Sequence, residues 1–179
     1  MKAKLLCLLL ALAACLTACA SGNRPQTSAQ PSEDSGALVL GDGDLMRLFT
    51  ANTIEGKETD AAFNAAYTDF ALKLFKQTRA AGDSSLISPL SVMLALAMTA
   101  NGAAEQTREQ MQRLLGGDLP IETLNAYLYS YAQSLTSGEE LKLANSVWFR
   151  DGSLEVKPRF LQTNADYYGA AAYKKPFDA

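Results

Sequence analysis

From residue 59 onward the apolar positions of the chain fall into periodic blocks. Ala61 to Ala81 places Phe63, Tyr67, Phe70 and Leu74 at i, i+4, i+7 and i+11, one stripe of a helix that Gly82-Asp83 ends. Ser84 to Ile87 is a short run that reads as a buried strand. Ser88 then stands at a helix N-cap with Pro89 at N1, where a missing N–H costs nothing. The helix that follows, with Leu90, Val92, Met93, Leu94, Leu96 and Met98, is apolar around its whole circumference, which predicts burial on every side. Asn101-Gly102 stops it. Thr107 and Gln110 have capping-box spacing ahead of Met111, Leu114 and Leu115, and Gly116-Gly117 closes that segment. Ile121, Leu124, Leu128, Tyr131 and Leu135 predict a further amphipathic helix. Over Leu141–Arg150 the period changes to two, which predicts a strand with Leu141, Leu143, Asn145, Val147 and Phe149 on one face. Asp151-Gly152 turns the chain, Pro158 opens a helix carrying Phe160, Leu161 and Tyr168, and Ala170 to Phe177 reads as extended. These blocks show no internal repeat.

The first 58 residues lack this regularity. Lys2 and Lys4 precede a twelve-residue apolar run, Leu5 to Leu16, too short to span a bilayer as an ordinary helix and right for a secretory signal. The run ends in Leu16-Thr17-Ala18-Cys19, which resembles the lipobox of bacterial lipoproteins. That resemblance implies cleavage of residues 1–18 and lipidation of Cys19; the alternative is an ordinary signal with a chance Cys. Ala20 to Gly36 is rich in Ser, Pro, Gln and Gly, so residues 19–36 read as a flexible tether. Residues 37–60 form an extension ahead of the domain. Within it, Gly41 to Asp44 (GDGD) looks like the start of a calcium loop, but Met46 and Leu48 fall where oxygen ligands would be needed.

Composition narrows the chemistry. There is no histidine, so neither Ser-His-Asp nor Cys-His catalysis is available within the chain, and the commonest metal ligand is missing. No cofactor or metal site is expected, and no catalytic residue. All three cysteines, Cys7, Cys15 and Cys19, lie in the first 19 residues, so the mature domain has no disulfide framework. Loss of residues 1–18 removes two lysines and takes the net charge from −3 to −5, which argues against nucleic acid as a partner. A lipidated Cys19 would instead make the membrane a partner, with the domain exported, anchored to the bacterial cell envelope and exposed to the extracellular space or periplasm.

Two segments carry a more specific signal. One is Ser84 to Gly117, with Ser88-Pro89-Leu90-Ser91, the apolar helix, Asn101-Gly102-Ala103 and Leu114-Leu115-Gly116. The other is LKLANSVWFRDG (Leu141 to Gly152) followed by FLQTNADYYGAAAYKKPFD (Phe160 to Asp178). In this order they resemble the N-terminal half of a serpin. The resemblance implies a serpin-like α+β fold over residues 61–179, helix-rich, with only the first strands of the central sheet, and therefore incomplete. It implies that the apolar helix lies behind that sheet. It also implies that Ser88, Pro89, Ser91 and Asn145 occupy the shutter, the place beneath the strands where a serpin sheet opens. One departure is Ser84, where family members usually have Asn four residues before the Ser of the Ser-Pro pair.

The functional implication is mechanical. In inhibitory serpins a protease cuts an exposed reactive loop, and the loop then inserts as a strand into the central sheet, distorting the attached enzyme. The expected partner of the intact protein is thus a serine or cysteine protease, and the expected state is a monomer. The reactive loop, and with it any scissile residue, is expected beyond Ala179. A non-inhibitory, binding or structural serpin is the alternative.

Overall fold

The computed structural model describes residues 43–79, 84–152 and 154–177. The expected signal segment, Cys19 and the tether lie outside these residues. Five helices and two strands follow in the order α1 (Ala61–Thr78), α2 (Pro89–Ala100), α3 (Glu105–Gly116), α4 (Ile121–Thr136), β1 (Ser146–Arg150), α5 (Pro158–Tyr168) and β2 (Ala171–Lys175).

The stripe expected on α1 is the stripe that packs: Phe63 and Phe70 are buried, with Tyr67 and Leu74 partly covered. Asp60 starts this helix, its carboxylate accepting the N–H groups of Ala62 and Phe63 at 3.0 and 3.1 Å. The same carboxylate accepts the Tyr127 hydroxyl of α4, so one side chain caps α1 and joins it to its neighbour. Around that joint Phe63 meets Tyr127 with ring centroids 5.1 Å apart, and Tyr67 meets Tyr131 at 5.6 Å. Each such aromatic pair is worth about 0.5–1.5 kcal/mol beyond its area.

The helix α2 runs through the main core, contributing Met93, Leu94, Ala97, Met98 and Ala100 against Leu115 of α3 and Ile121, Leu124 and Leu128 of α4. Burial on every side is not what is found: Ser91, Ala95 and Thr99, one turn apart, form an exposed stripe among the described residues. That stripe carries only small side chains, so its exposure costs little apolar area. Residues 84–88 are not a strand, and Leu86 is fully exposed at 100%. The helix α3 begins at Glu105, two residues before the expected box, with Ala104 at the N-cap and no side-chain cap bond.

Strands β1 and β2 are parallel, with Ser146 opposite Ala171 and Arg150 opposite Lys175; α5 is the crossover. The strand expected from Leu141 starts only at Ser146, because β2 begins opposite that residue; Asn145 still accepts the Ala171 N–H, and residues 141–144 are in no strand among the described residues. The period of two is obeyed within β1: Val147 and Phe149 turn inward, Ser146, Trp148 and Arg150 outward. At the end of α5, Gly169 takes the left-handed conformation (φ 53°, ψ 32°) that reverses the chain into β2.

The segment 43–60 has no helix or strand of its own, yet it is docked. Asp44 forms an antiparallel bridge with Tyr173: the Lys174 N–H donates to the Gly43 carbonyl at 2.7 Å and the Leu45 N–H to the Ala172 carbonyl at 2.9 Å. Leu45, 3% exposed, joins Leu161 and Ala172 in a second small core. Further along, the Gln162 amide donates to the Thr50 carbonyl at 2.9 Å, the Asn52 N–H donates to the Asp166 carboxylate at 2.8 Å, and the Lys57 N–H donates to the Ala126 carbonyl at 3.1 Å.

Candidate functional site

The four residues singled out by the sequence fall into two groups. Ser88 and Ser91 share the first turn of α2. Their hydroxyls are 2.8 Å apart, the Ser91 N–H donates to Ser88 Oγ at 3.4 Å, and Pro89 sits between them at N1. Both serines are exposed, as is Ser84. Asn145 lies immediately before β1. Its amide donates to the carbonyl of Tyr168 at 2.9 Å, while its own carbonyl accepts the N–H of Ala171 at 2.9 Å. Asn145 thereby ties the entry of β1 to the end of α5 and the entry of β2. Among the described residues no hydrogen bond links Ser88 or Ser91 to Asn145.

Three further polar residues extend the Asn145 group into the core. Tyr168 is nearly buried, and its hydroxyl donates to Asn125 Oδ1 at 2.5 Å. Asn125, 2% exposed on α4, faces Asn101 at the C-cap of α2, where the two amides exchange hydrogen bonds of 2.8 and 3.4 Å. The Asn101 amide also donates to the Ala97 carbonyl at 3.1 Å. A continuous seam therefore runs α2–α4–α5–β1 through Asn101, Asn125, Tyr168 and Asn145. Burial pushes the Tyr168 phenol far above its ordinary pKa, and the nearby Asn101 amide offsets part of that rise. Tyr168 is accordingly a hydrogen-bond donor at any physiological pH.

Ser88 and Asn101 cap opposite ends of α2, whose twelve residues span about 18 Å. Asn101 and Asn125 also line an open groove of about 1010 Å³ between α3, α4, α5 and the inner face of β1, which Val147, Phe149 and Phe160 wall. Every member of the seam is neutral and hydrogen-bonded, so its chemistry is positional: it fixes how the helices sit against the strand entries. Asn164 is the exception in this neighbourhood, a buried amide whose Oδ1 has no partner among the described residues, although its nitrogen donates to the Phe160 carbonyl at 2.9 Å. Among the described residues no group of three or more His, Cys, Asp or Glu side chains is placed to hold a metal ion.

Asn101, Asn125 and Tyr168 were not singled out from the sequence as a site. Asn125 did carry a signal. It follows Ile121 by four residues and precedes Leu128 by three, so an amide sits in an apolar register.

The family model for serpins (serine protease inhibitors) matches residues 65–179. The chain belongs to the serpin family. It is 30% identical to human neuroserpin over 134 residues, which are 71% of this chain and 32% of that protein. It is 36% identical to the corticosteroid-binding globulin of Sus scrofa over 118 residues, 61% of this chain and 29% of the globulin. Among solved structures, that of the native state of tengpin, a thermophilic serpin, superposes with a TM-score of 0.71 at 46% identity, covering 76% of this chain and 36% of tengpin. The chain thus spans about a third of the length of the serpins it matches, and the helix-rich body with a two-stranded sheet is an incomplete serpin fold. Serpins are inhibitors of proteases rather than enzymes as a family.

Proposed function

We propose that this chain is the N-terminal part of a lipid-anchored serpin whose intact form inhibits serine-type endopeptidases by insertion of a cleaved loop into its central sheet. The observation that carries the reading is the serpin match over residues 65–179. The exported location rests on Cys19 and its lipobox-like setting. Within this reading Ser88 and Ser91 are the shutter hydroxyls, and Asn145 holds β1 to the helices while strands further along the sheet part. Cysteine proteases are a second target class of the same trap.

A binding serpin without inhibitory action is the second reading, favoured by the 36% identity to a serpin named for binding a corticosteroid. The two separate in one experiment. The full-length product of the gene carrying this sequence is incubated with a panel of serine and cysteine proteases and resolved on denaturing gels. An SDS-stable complex at the summed mass is expected with at least one enzyme. Cleavage of the serpin by the whole panel without any such complex overturns inhibition and leaves the binding reading. In the same preparation Cys19→Ala is expected to move the protein from the membrane fraction to the soluble fraction; retention at the membrane overturns the anchor.

A further inference from the structure

The second small core, Leu45 with Leu161 and Ala172, is enclosed by three pieces of chain: residues 43–49, residues 149–160 and β2. The pieces are tied to one another. The Lys174 ammonium group donates to the Leu154 carbonyl at 2.8 Å, the Asp151 N–H donates to the Lys175 carbonyl at 2.9 Å, and the strand register sets Arg150 beside Lys175. What they present to solvent is basic. Arg47, Arg150, Lys157, Arg159 and Lys175 are exposed and Lys174 is partly so. These six cations stand against three anions in the same pieces, Asp44, Asp151 and Glu155, so this corner is net positive in a chain whose net charge is −3. Lys157 and Glu155 lie 3.7 Å apart, but both are exposed, and such a pair is worth little in water. Among the charges two large apolar side chains stand out into solvent, Leu48 at 65% and Leu154 at 53% exposure. Leucines set among lysines and arginines suit the headgroup layer of a bilayer, where apolar side chains enter the acyl boundary and cations meet phosphates. The course of the chain favours a bilayer over a soluble polyanion. Residues 20–42 join Cys19 to the body at Gly43, whose carbonyl accepts the Lys174 N–H at 2.7 Å, inside the basic corner.

We propose that the corner around Leu48 and Leu154 is a membrane-docking surface for anionic phospholipid headgroups, with Arg150, Lys157 and Arg159 as its main contacts. The proposal deepens the lipid-anchor reading and rests on it for the nature of the surface met. A lipid on Cys19 holds the protein at a bilayer without fixing its orientation; the basic corner sets the ends of β1 and β2 against the headgroups. Each cation near an anionic surface contributes about a fivefold gain in binding. By itself the contact is therefore weak and salt-labile, so protein without the lipid leaves the membrane on washing.

The test uses the full-length protein carrying Cys19→Ala, so that no lipid contributes, and vesicles of phosphatidylcholine with or without about 30% phosphatidylglycerol. Co-sedimentation at low salt is expected to give a partition coefficient at least about tenfold higher for the anionic vesicles. Lys157→Glu/Arg159→Glu is expected to lower it at least about tenfold, and acidic residues in the first turn of α5 are compatible with the helix. Lys73→Glu/Lys76→Glu on α1 makes the same change in net charge and is expected to leave partition within about twofold. Leu154→Ser, which changes no charge, is expected to lower it about threefold. Equal partition into both vesicle types, an equal loss from the α1 pair, indifference to Leu154→Ser, or binding to soluble polyphosphate but not to vesicles overturns the proposal. The anchor is judged separately. Wild-type protein that stays with membranes in high salt, while the Cys19→Ala protein ignores the vesicles, keeps the anchor and overturns this surface. Cys19→Ala protein that binds the anionic vesicles as expected supports the surface whatever the fate of Cys19.

Discussion

Asn125 occupies a place where the repeat of α4 asks for an apolar side chain, and its cost of burial is met by Asn101 and the Tyr168 hydroxyl. Truncating different members of this seam should therefore have unequal effects. Tyr168→Phe removes one bond and leaves Asn125 still paired with Asn101, so a loss of about 1 kcal/mol is expected. Asn125→Ala leaves both a buried phenol and a half-satisfied Asn101 behind, so about 2–3 kcal/mol is expected. Urea unfolding midpoints of the two variants check this order, and equal losses would mean the seam is not coupled. The seam also marks the limit of what the sequence shows. The N-cap role of Ser88 could be read from its neighbours, because Ser88 acts on residues within the same turn. The amide of Asn145 reaches a carbonyl 23 positions away and the Tyr168 hydroxyl an amide 43 positions away, and no local pattern encodes either choice.

Helix α1 shows how an element and its connections share one group. The Asp60 carboxyl is held below its ordinary pKa, first by the hydrogen bond from Tyr127 and then by the Phe63 N–H, against a smaller opposing effect of burial. In the unfolded chain an aspartate titrates near about 3.9. The folded group keeps its charge to lower pH, so the stability it contributes is complete above that value and is lost as pH falls through the lowered folded value. Asp60→Ala is expected to melt earlier than the wild type at pH 7, and the difference is expected to shrink as the pH is taken below about 3.9. A difference constant down to pH 2 would show that the carboxylate is not the operative group. The elements themselves were legible where amphipathicity has a single period: α1, α2, α4 and α5 begin at the residues their caps, prolines and stripes announce. The strands were less so. Alternation from Leu141 describes a strand's potential, whereas pairing decides its extent, and pairing starts at Ser146. Ser84–Ile87 has strand composition and no partner among the described residues. Docking of residues 43–45 onto β2 is a contact of more than a hundred positions' separation, and Gly-Asp punctuation in that segment gave no sign of it.

For the molecule as a whole, the described surface is that of a body still open on several sides. Leu86 is fully exposed, Leu72 and Phe75 project from the last turns of α1, and the edge of β1 away from β2 has no neighbour among the described residues. Scattered apolar side chains are ordinary, but a free sheet edge beside them is a site of association. A fragment of residues 43–179 is accordingly expected to bind the dye ANS and to self-associate with rising concentration, while the full-length serpin does neither. A fragment that stays monomeric and dye-negative, with one cooperative melting transition, would show that these surfaces close on themselves.

Trp148 is the single tryptophan of the chain, and it stands on the outer face of β1 with its ring centroid 4.7 Å from that of Tyr173 on β2. The indole is 52% exposed, so it samples both the seam between the two strands and the water above it. Whatever moves across that face, or separates the strands beneath it, changes the polarity around one chromophore and no other of its kind within these residues. The protein thus carries an optical gauge of its own sheet, readable as the colour of its emission without any attached label.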